Sequence, residues 1–272
     1  MNIRVRGISY AFERHQEKPE LPNLVLLHGF MGRGTALQPL IDRLTPFCNP
    51  ITIDLLGHGD TEGAELHYRF SAKEQVADLV KLISEQLSLP LFLYGYSMGA
   101  RLALQIAVHR KDLLQGLILE SGTFGIESET ERQARQALDA SRADQITGNF
   151  EGFLKDWKSL PLFKSGKNGT DVIQLDQIQA HQNPTWMANS LLGFGSGTMP
   201  CLREHLPGLP MPVQLIVGEK DSKFIRINQT MNRDIKESQL NIIPDAGHRV
   251  HIDQPETEAE VIKDFITTNL LP

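Results

Sequence analysis

Leu91-Phe92-Leu93-Tyr94-Gly95-Tyr96-Ser97-Met98-Gly99-Ala100-Arg101-Leu102-Ala103-Leu104 is the stretch from which the rest of the chain can be read. Leu91–Tyr94 is a short, uninterrupted apolar run ended by glycine, the pattern of a strand buried on both faces. From Met98 to His109 the residues are apolar nearly all round, as in a helix enclosed between two layers. Gly95-Tyr96-Ser97-Met98-Gly99, between them, fits G-x-S-x-G. A strand turning sharply into a helix presents its serine at the turn, and only small residues fit two places to either side. The pentapeptide alone is a weak signal, so its surroundings must decide.

Further apolar runs flank it. Leu24–Leu27 ends in His28-Gly29, and Ile51–Leu55 leads to Gly57-His58-Gly59. Gly116–Glu120, Val213–Val217 and Gln239–Ile243 complete the set of expected buried strands, and residues 2–12 alternate loosely as an edge hairpin or strand. Between them, Ser71-Ala72-Lys73-Glu74 has capping-box spacing and is followed by Val76, Leu79, Val80 and Ile83 on one helical face. Glu256–Leu270 reads as a closing amphipathic helix. Strands alternating with helices predict a mostly parallel sheet with helices on both faces. From Gly122 to Gly208 the pattern is helical, with Trp157, Pro161, Phe163, Trp186 and Phe194 and no convincing strand. The expected organisation is a core over 1–121, a helical lid insertion over 122–208, and the rest of the core over 209–272. Such sheets bind ligands at the carboxyl ends of their strands, where an insertion of this kind would close over a site.

In this architecture the serine is followed by an acid after a later strand and a histidine after the last. Asp221 follows Val213–Val217 through Gly218-Glu219-Lys220, and His248 follows Ile242-Ile243 through Pro244-Asp245-Ala246-Gly247. His248 would take the Ser97 proton, and Asp221 would fix its tautomer and stabilise the imidazolium. Glu219 and His251 are nearby competitors, discounted because they lie off the expected loop tips. An oxyanion hole would come from two backbone amides. One is Met98, at the positive end of its helix; the other is Phe30, in His28-Gly29-Phe30-Met31-Gly32. His28 is read as packing beneath that loop and His58 as a turn residue.

Composition narrows the partners. Lys plus Arg is 27 against 33 Asp plus Glu, a net charge of −6. An acidic chain without a basic tract is a poor partner for nucleic acid or an anionic membrane. Leu91–Val108, the longest apolar stretch, contains Arg101 and Gln105 and is not a membrane span. Two distant cysteines, Cys48 and Cys201, lack metal-ligand spacing and suit a reducing compartment. With no apolar leader after Met1, the expected location is cytoplasmic. No G-x-G-x-x-G, Walker or H-E-x-x-H sequence occurs, so no metal, nucleotide or flavin is expected. Monomer and homo-oligomer are equally compatible with the sequence.

These residues resemble the α/β-hydrolase superfamily over nearly the whole chain. More narrowly, the chain resembles the 2-succinyl-6-hydroxy-2,4-cyclohexadiene-1-carboxylate synthases of menaquinone biosynthesis. Leu27–Gly32 and Ala246-Gly247-His248 are common to the superfamily. Ser97–Arg101, Glu120-Ser121-Gly122, Glu131–Arg135, Trp157 with Leu160–Phe163, and Gly218–Phe224 carry the narrower likeness. The resemblance implies a lyase that removes pyruvate from 2-succinyl-5-enolpyruvyl-6-hydroxy-3-cyclohexene-1-carboxylate. Serine would act through histidine as a base on a ring C–H, without an acyl-enzyme. The alternatives are a hydrolase of esters or C–C bonds in small carboxylate-bearing compounds, and a non-catalytic receptor on the same fold.

A substrate with several carboxylates needs cations. Arg101 lies four residues past Ser97, and Arg135 matches the lid arginine of the family's Glu-Arg-x-x-Arg pattern. Each has a plainer reading: a buried ion pair of Arg101 with a lid carboxylate, and an exposed pair of Arg135 with Glu131. Arg132 is taken as the solvent-side residue. Tyr96 and Trp157 are expected to line the pocket. Where the family has a further lid arginine, this chain reads Gln179, which can hydrogen-bond but supplies no charge.

Overall fold

Residues 1–88, 90–163 and 170–270 are described by a computed structural model. Eight strands form one sheet: β1 (Asn2–Val5), β2 (Ile8–Arg14), β3 (Asn23–Leu27), β4 (Asn49–Ile53), β5 (Leu91–Tyr96), β6 (Leu114–Glu120), β7 (Val213–Gly218) and β8 (Ser238–Ile243). Their order is β1-β2-β4-β3-β5-β6-β7-β8. β2 pairs antiparallel with β1 and β4, and every other pairing is parallel. The expected mostly parallel sheet is present, and the 2–12 segment is its antiparallel hairpin edge.

The helices are α1 (Gln38–Leu44), α2 (Ala72–Gln86), α3 (Met98–His109), α4 (Glu129–Gly148), α5 (Phe150–Lys158), α6 (Thr170–Ala180), α7 (Pro184–Phe194), α8 (Ser222–Asp234), α9 (Val250–Asp253) and α10 (Pro255–Thr268). Alternation along the strands sorts the core into two layers, because successive side chains point to opposite faces. Val25, Leu27 and Leu93 pack with α2 and α3 residues such as Leu79 and Leu104. Leu24, Leu26, Phe92 and Tyr94 pack with α1 and α10, through Leu40 and Ile262.

Helix α2 starts where its sequence says, but Ser71 makes no side-chain capping bond. Glu74, the far end of the expected capping box, is held instead by Arg6 at 2.7 Å and Arg69 at 2.8 Å. Charge-assisted bonds to guanidinium outcompete a neutral backbone amide.

Between β6 and β7 the described residues contain only helices, α4 to α7 with short 3-10 turns. This segment has its own cluster, in which Ala143, Ile146, Phe153, Leu154 and Leu191 pack on Met31. Met31 belongs to the loop after β3, so the helical segment is seated over the carboxyl ends of the strands.

Candidate active site

Ser97 sits between β5 and α3 with φ 52° and ψ −103°. A non-glycine residue there is strained, and the strain is held by close packing on both sides. A Cβ on Gly95 would lie 2.4 Å from the Gly99 carbonyl, and one on Gly99 would lie 2.1 Å from the Leu27 carbonyl. Those contacts explain both glycines of the pentapeptide.

Three strand ends deliver the partners. His248 Nε2 lies 3.0 Å from Ser97 Oγ, and His248 Nδ1 lies 2.6 Å from Asp221 Oδ2. Asp221 also accepts the Phe224 amide and so caps α8. Helix capping and histidine orientation are performed by one carboxylate. His248 and Asp221 are buried, and the His248 ring is bracketed by Phe224 at 4.5 Å and Tyr96 at 5.5 Å. With Nδ1–H donated to Asp221, Nε2 can accept the serine proton. Among the described residues no acceptor takes the Phe30 or Met98 amide, so both are available to a developing anion.

His28 is where its plain reading puts it. Its Nδ1 donates to the Gly29 carbonyl at 2.8 Å and its Nε2 accepts the Leu55 amide at 2.9 Å. Burial pushes its pKa down to about 4. His58 is also buried, with a pKa lowered to about 3 by burial and then by His28. Both are neutral supports of the loop.

Above Ser97 is a cavity of about 1030 Å³ lined by strand-end loops and the helical segment. Arg101, Arg135, Trp157, Tyr96 and Gln179 all line it. Arg101 is buried, and its predicted alternative partner is absent: no carboxylate among the described residues lies within ion-pair distance. Its Nη1 donates to the Phe194 carbonyl at 2.6 Å, and its Cζ lies 4.8 Å from the Phe194 ring centroid. Burial, and then repulsion from Arg135, push its pKa down to about 9. Arg135 does form an i,i+4 pair, but forward to Asp139 rather than back to Glu131. Its Nε is 2.9 Å from both carboxylate oxygens. Asp139 is buried and Glu131 exposed, so the pair forms where the dielectric is lower. Arg132 pairs outward with Glu129, as expected.

Arg142, Lys220, Lys223 and Arg249 also line the cavity and were not singled out from the sequence as substrate-facing cations. Arg142 lines the cavity one turn past Asp139, 3.9 Å from that carboxylate, with its Cζ 5.4 Å from the Trp157 ring centroid. Its guanidinium makes no hydrogen bond among the described residues. Lys223 lies in the first turn of α8, two residues past Asp221, at the cavity wall. The i,i+7 spacing of Arg135 and Arg142 about Asp139 was a usable signal for the first. Gln179 Oε1 and Trp157 Nε1 are buried without a partner among the described residues. Ser196 Oγ, also on the cavity wall, is unpartnered too, so the wall combines cations with unfilled donors and acceptors.

Among the described residues, only Glu120, His251 and Glu258 bring three metal-ligating side chains together, their donor atoms within 4.8 Å of one another. Glu120's oxygens already accept the Val250 amide at 2.5 Å, the His251 amide at 3.2 Å, His251 Nδ1 at 2.7 Å and the Tyr94 hydroxyl. That donor set describes a hydrogen-bonded carboxylate rather than a cation site. No described helix is long and apolar enough to cross a membrane.

Residues 24–261 match the alpha/beta hydrolase family. A Bacillus subtilis (strain 168) protein, provisionally named 2-succinyl-6-hydroxy-2,4-cyclohexadiene-1-carboxylate synthase, is 35% identical over 98% of this chain and 98% of its own. The synthase of that name from Serratia proteamaculans (strain 568) is 29% identical over 92% of this chain and 95% of its own. The solved structure of MenH from S. aureus superposes with a TM-score of 0.90 at 30% identity, covering 96% of this chain and 98% of that one.

Proposed function

Because the chain belongs to the alpha/beta hydrolase family, and within it to the family of the 2-succinyl-6-hydroxy-2,4-cyclohexadiene-1-carboxylate synthases, we propose that it is a lyase acting in menaquinone biosynthesis. Its substrate is 2-succinyl-5-enolpyruvyl-6-hydroxy-3-cyclohexene-1-carboxylate, and its products are pyruvate and 2-succinyl-6-hydroxy-2,4-cyclohexadiene-1-carboxylate. One observation carries this reading. The Ser97–His248–Asp221 chain opens into the same cavity as Arg101, Arg135 and Arg142, whose guanidinium groups keep unfilled donors.

In this reading Ser97 Oγ, with its own proton passed toward His248, removes a proton from the ring. The C–H electron pair forms the new ring double bond system, the ring C–O bond breaks with its electron pair leaving on the enolpyruvyl oxygen, and the proton held by His248 passes to the departing enolpyruvate, which becomes pyruvate. Negative charge developing on the substrate carbonyl is met by the Phe30 and Met98 amides. The arginines hold carboxylates, each charge-assisted bond contributing about 1.5–3 kcal/mol. Tyr96 and Trp157 shape the wall, and the helical segment over 122–208 serves as the substrate-facing lid.

Purified protein given the enolpyruvyl substrate should release pyruvate, followed by a coupled lactate dehydrogenase assay. A parallel p-nitrophenyl ester assay should give slow hydrolysis at most. Rapid ester turnover through a Ser97 acyl-enzyme, with no pyruvate from the enolpyruvyl compound, would sink the lyase reading in favour of the hydrolase.

A further inference from the structure

Two carboxylate–histidine pairs stand side by side at the strand ends, and only one belongs to the Ser97 chain. The other is Glu120 with His251. Glu120 is the last residue of β6 and is fully buried, and His251 is nearly so. A buried carboxylate is costly unless its oxygens are filled, and this one gathers four donors: two consecutive amides, an imidazole and the Tyr94 hydroxyl. Glu258 lies in the same cluster. Burial, and then its neighbour Glu120, push its carboxyl well above the usual range.

The placement of those donors is specific. The two amides are those of Val250 and His251, the second and third residues after His248. The backbone leaving His248 is thus tied to the end of β6. The His251 ring packs edge-on against Tyr96 with centroids 4.4 Å apart. Tyr96 in turn packs on His248, and its ring would lie 2.6 Å from a Cβ on Gly29, at the base of the Phe30 loop. In the β5–β6 ladder Tyr96 and Glu120 are direct partners. One carboxylate therefore holds both the chain beyond His248 and the ring wedged between His248 and the oxyanion loop.

We propose that Glu120 is a positioning residue for His248, acting through the Val250 and His251 amides and through His251 on Tyr96. It rests on the reading above only in taking Ser97 and His248 as the working pair.

Glu120→Gln tests it, because the amide keeps the shape and one acceptor while removing the charge. Misplacement of a reacting group by an ångström costs on the order of 100-fold, so kcat for pyruvate release should fall by about 10- to 100-fold with KM within about twofold. The rate at which a phosphonate labels Ser97 should fall similarly, and the downfield His248 Nδ1 proton resonance should shift or broaden. Thermal melting checks that the variant is folded. Should it not fold, His251→Phe keeps a ring against Tyr96, removes the bond to Glu120, and carries the same measurements. Wild-type kcat, labelling rate and resonance in a folded variant would overturn the proposal. Labelling and resonance need no substrate. If they change in a protein that releases no pyruvate, the positioning role stands and the lyase reading alone fails.

Discussion

The wall of the cavity built by the sheet differs in kind from the wall built by the helical segment. On the sheet side the polar groups are largely satisfied by protein. His248 is bonded at both nitrogens, Asp221 caps a helix while orienting it, His28 bridges two loops and Glu120 collects several donors. On the helical side they are not. The Arg142 guanidinium has no hydrogen bond among the described residues, and Trp157 Nε1 and Gln179 Oε1 are buried and unfilled. Buried polar groups left without partners are costly. The first wall is satisfied from within, and in the proposed reading a bound ligand completes the second. In that reading, chemistry falls to the sheet wall and selectivity to the helical wall together with Arg101 of α3.

The largest effect should come from breaking the finished wall. Ser97→Ala, His248→Ala and Asp221→Asn should each lower kcat by roughly 1000-fold or more, and double variants should fall little further, because the three act as a unit. Steady-state pyruvate assays on folded protein measure this. Full activity in Ser97→Ala would end the division of roles.

Next come the open donors. Arg101→Ala, Arg135→Ala and Arg142→Ala should each cost about 10- to 200-fold in kcat/KM for the enolpyruvyl substrate, at about tenfold per 1.4 kcal/mol. Turnover of a neutral nitrophenyl ester should change little in the same variants. Lysine should restore only part of the loss, lacking the planar fork. Equal losses on both substrates would mean the arginines hold the fold rather than the ligand.

The smallest effect sharpens the comparison through pH. His28 has a folded pKa of about 4, below its ordinary value of 6.5. Protonation would set an N–H against the Leu55 amide. The unfolded chain therefore takes up protons first as pH falls. The stabilisation is complete above about 6.5 and is lost as pH drops toward 4. Urea unfolding at pH 6.5 and pH 5 should show wild-type protein losing about 1–2 kcal/mol more than His28→Gln. Parallel losses in both proteins would show that His28 titrates normally.

Much of the finished wall was legible because its signals are local. Met98–His109 is α3 to the residue, and the buried strands lie within two residues of their apolar runs, since strand periodicity and flanking glycines are short-range features. The order of Ser97, Asp221 and His248 along the chain pointed to three side chains that the fold brings into one hydrogen-bonded row. What was misread involved choices made by burial. Glu74 leaves its capping role for Arg6, 68 residues away, and Arg135 prefers Asp139 to Glu131 at the same spacing. Arg101 finds an aromatic ring and a carbonyl where an ion pair was the alternative. His251 was set aside for its position, yet its partner Glu120 lies 131 residues away, beyond any spacing rule.

The bond between Ser97 and His248 spans 151 residues of chain. During synthesis the elbow, its helix and most of the sheet emerge before the imidazole does. Pairings between distant segments are slow to form, because loop-closure entropy is lost before contacts repay it. In the proposed reading, an unfinished or half-folded copy would carry an ordinary, unactivated serine, and reactivity would arrive only once β7 and β8 have docked on β6. On that reading the topology builds in an order of assembly, with the scaffold made first and the reactive centre switched on last.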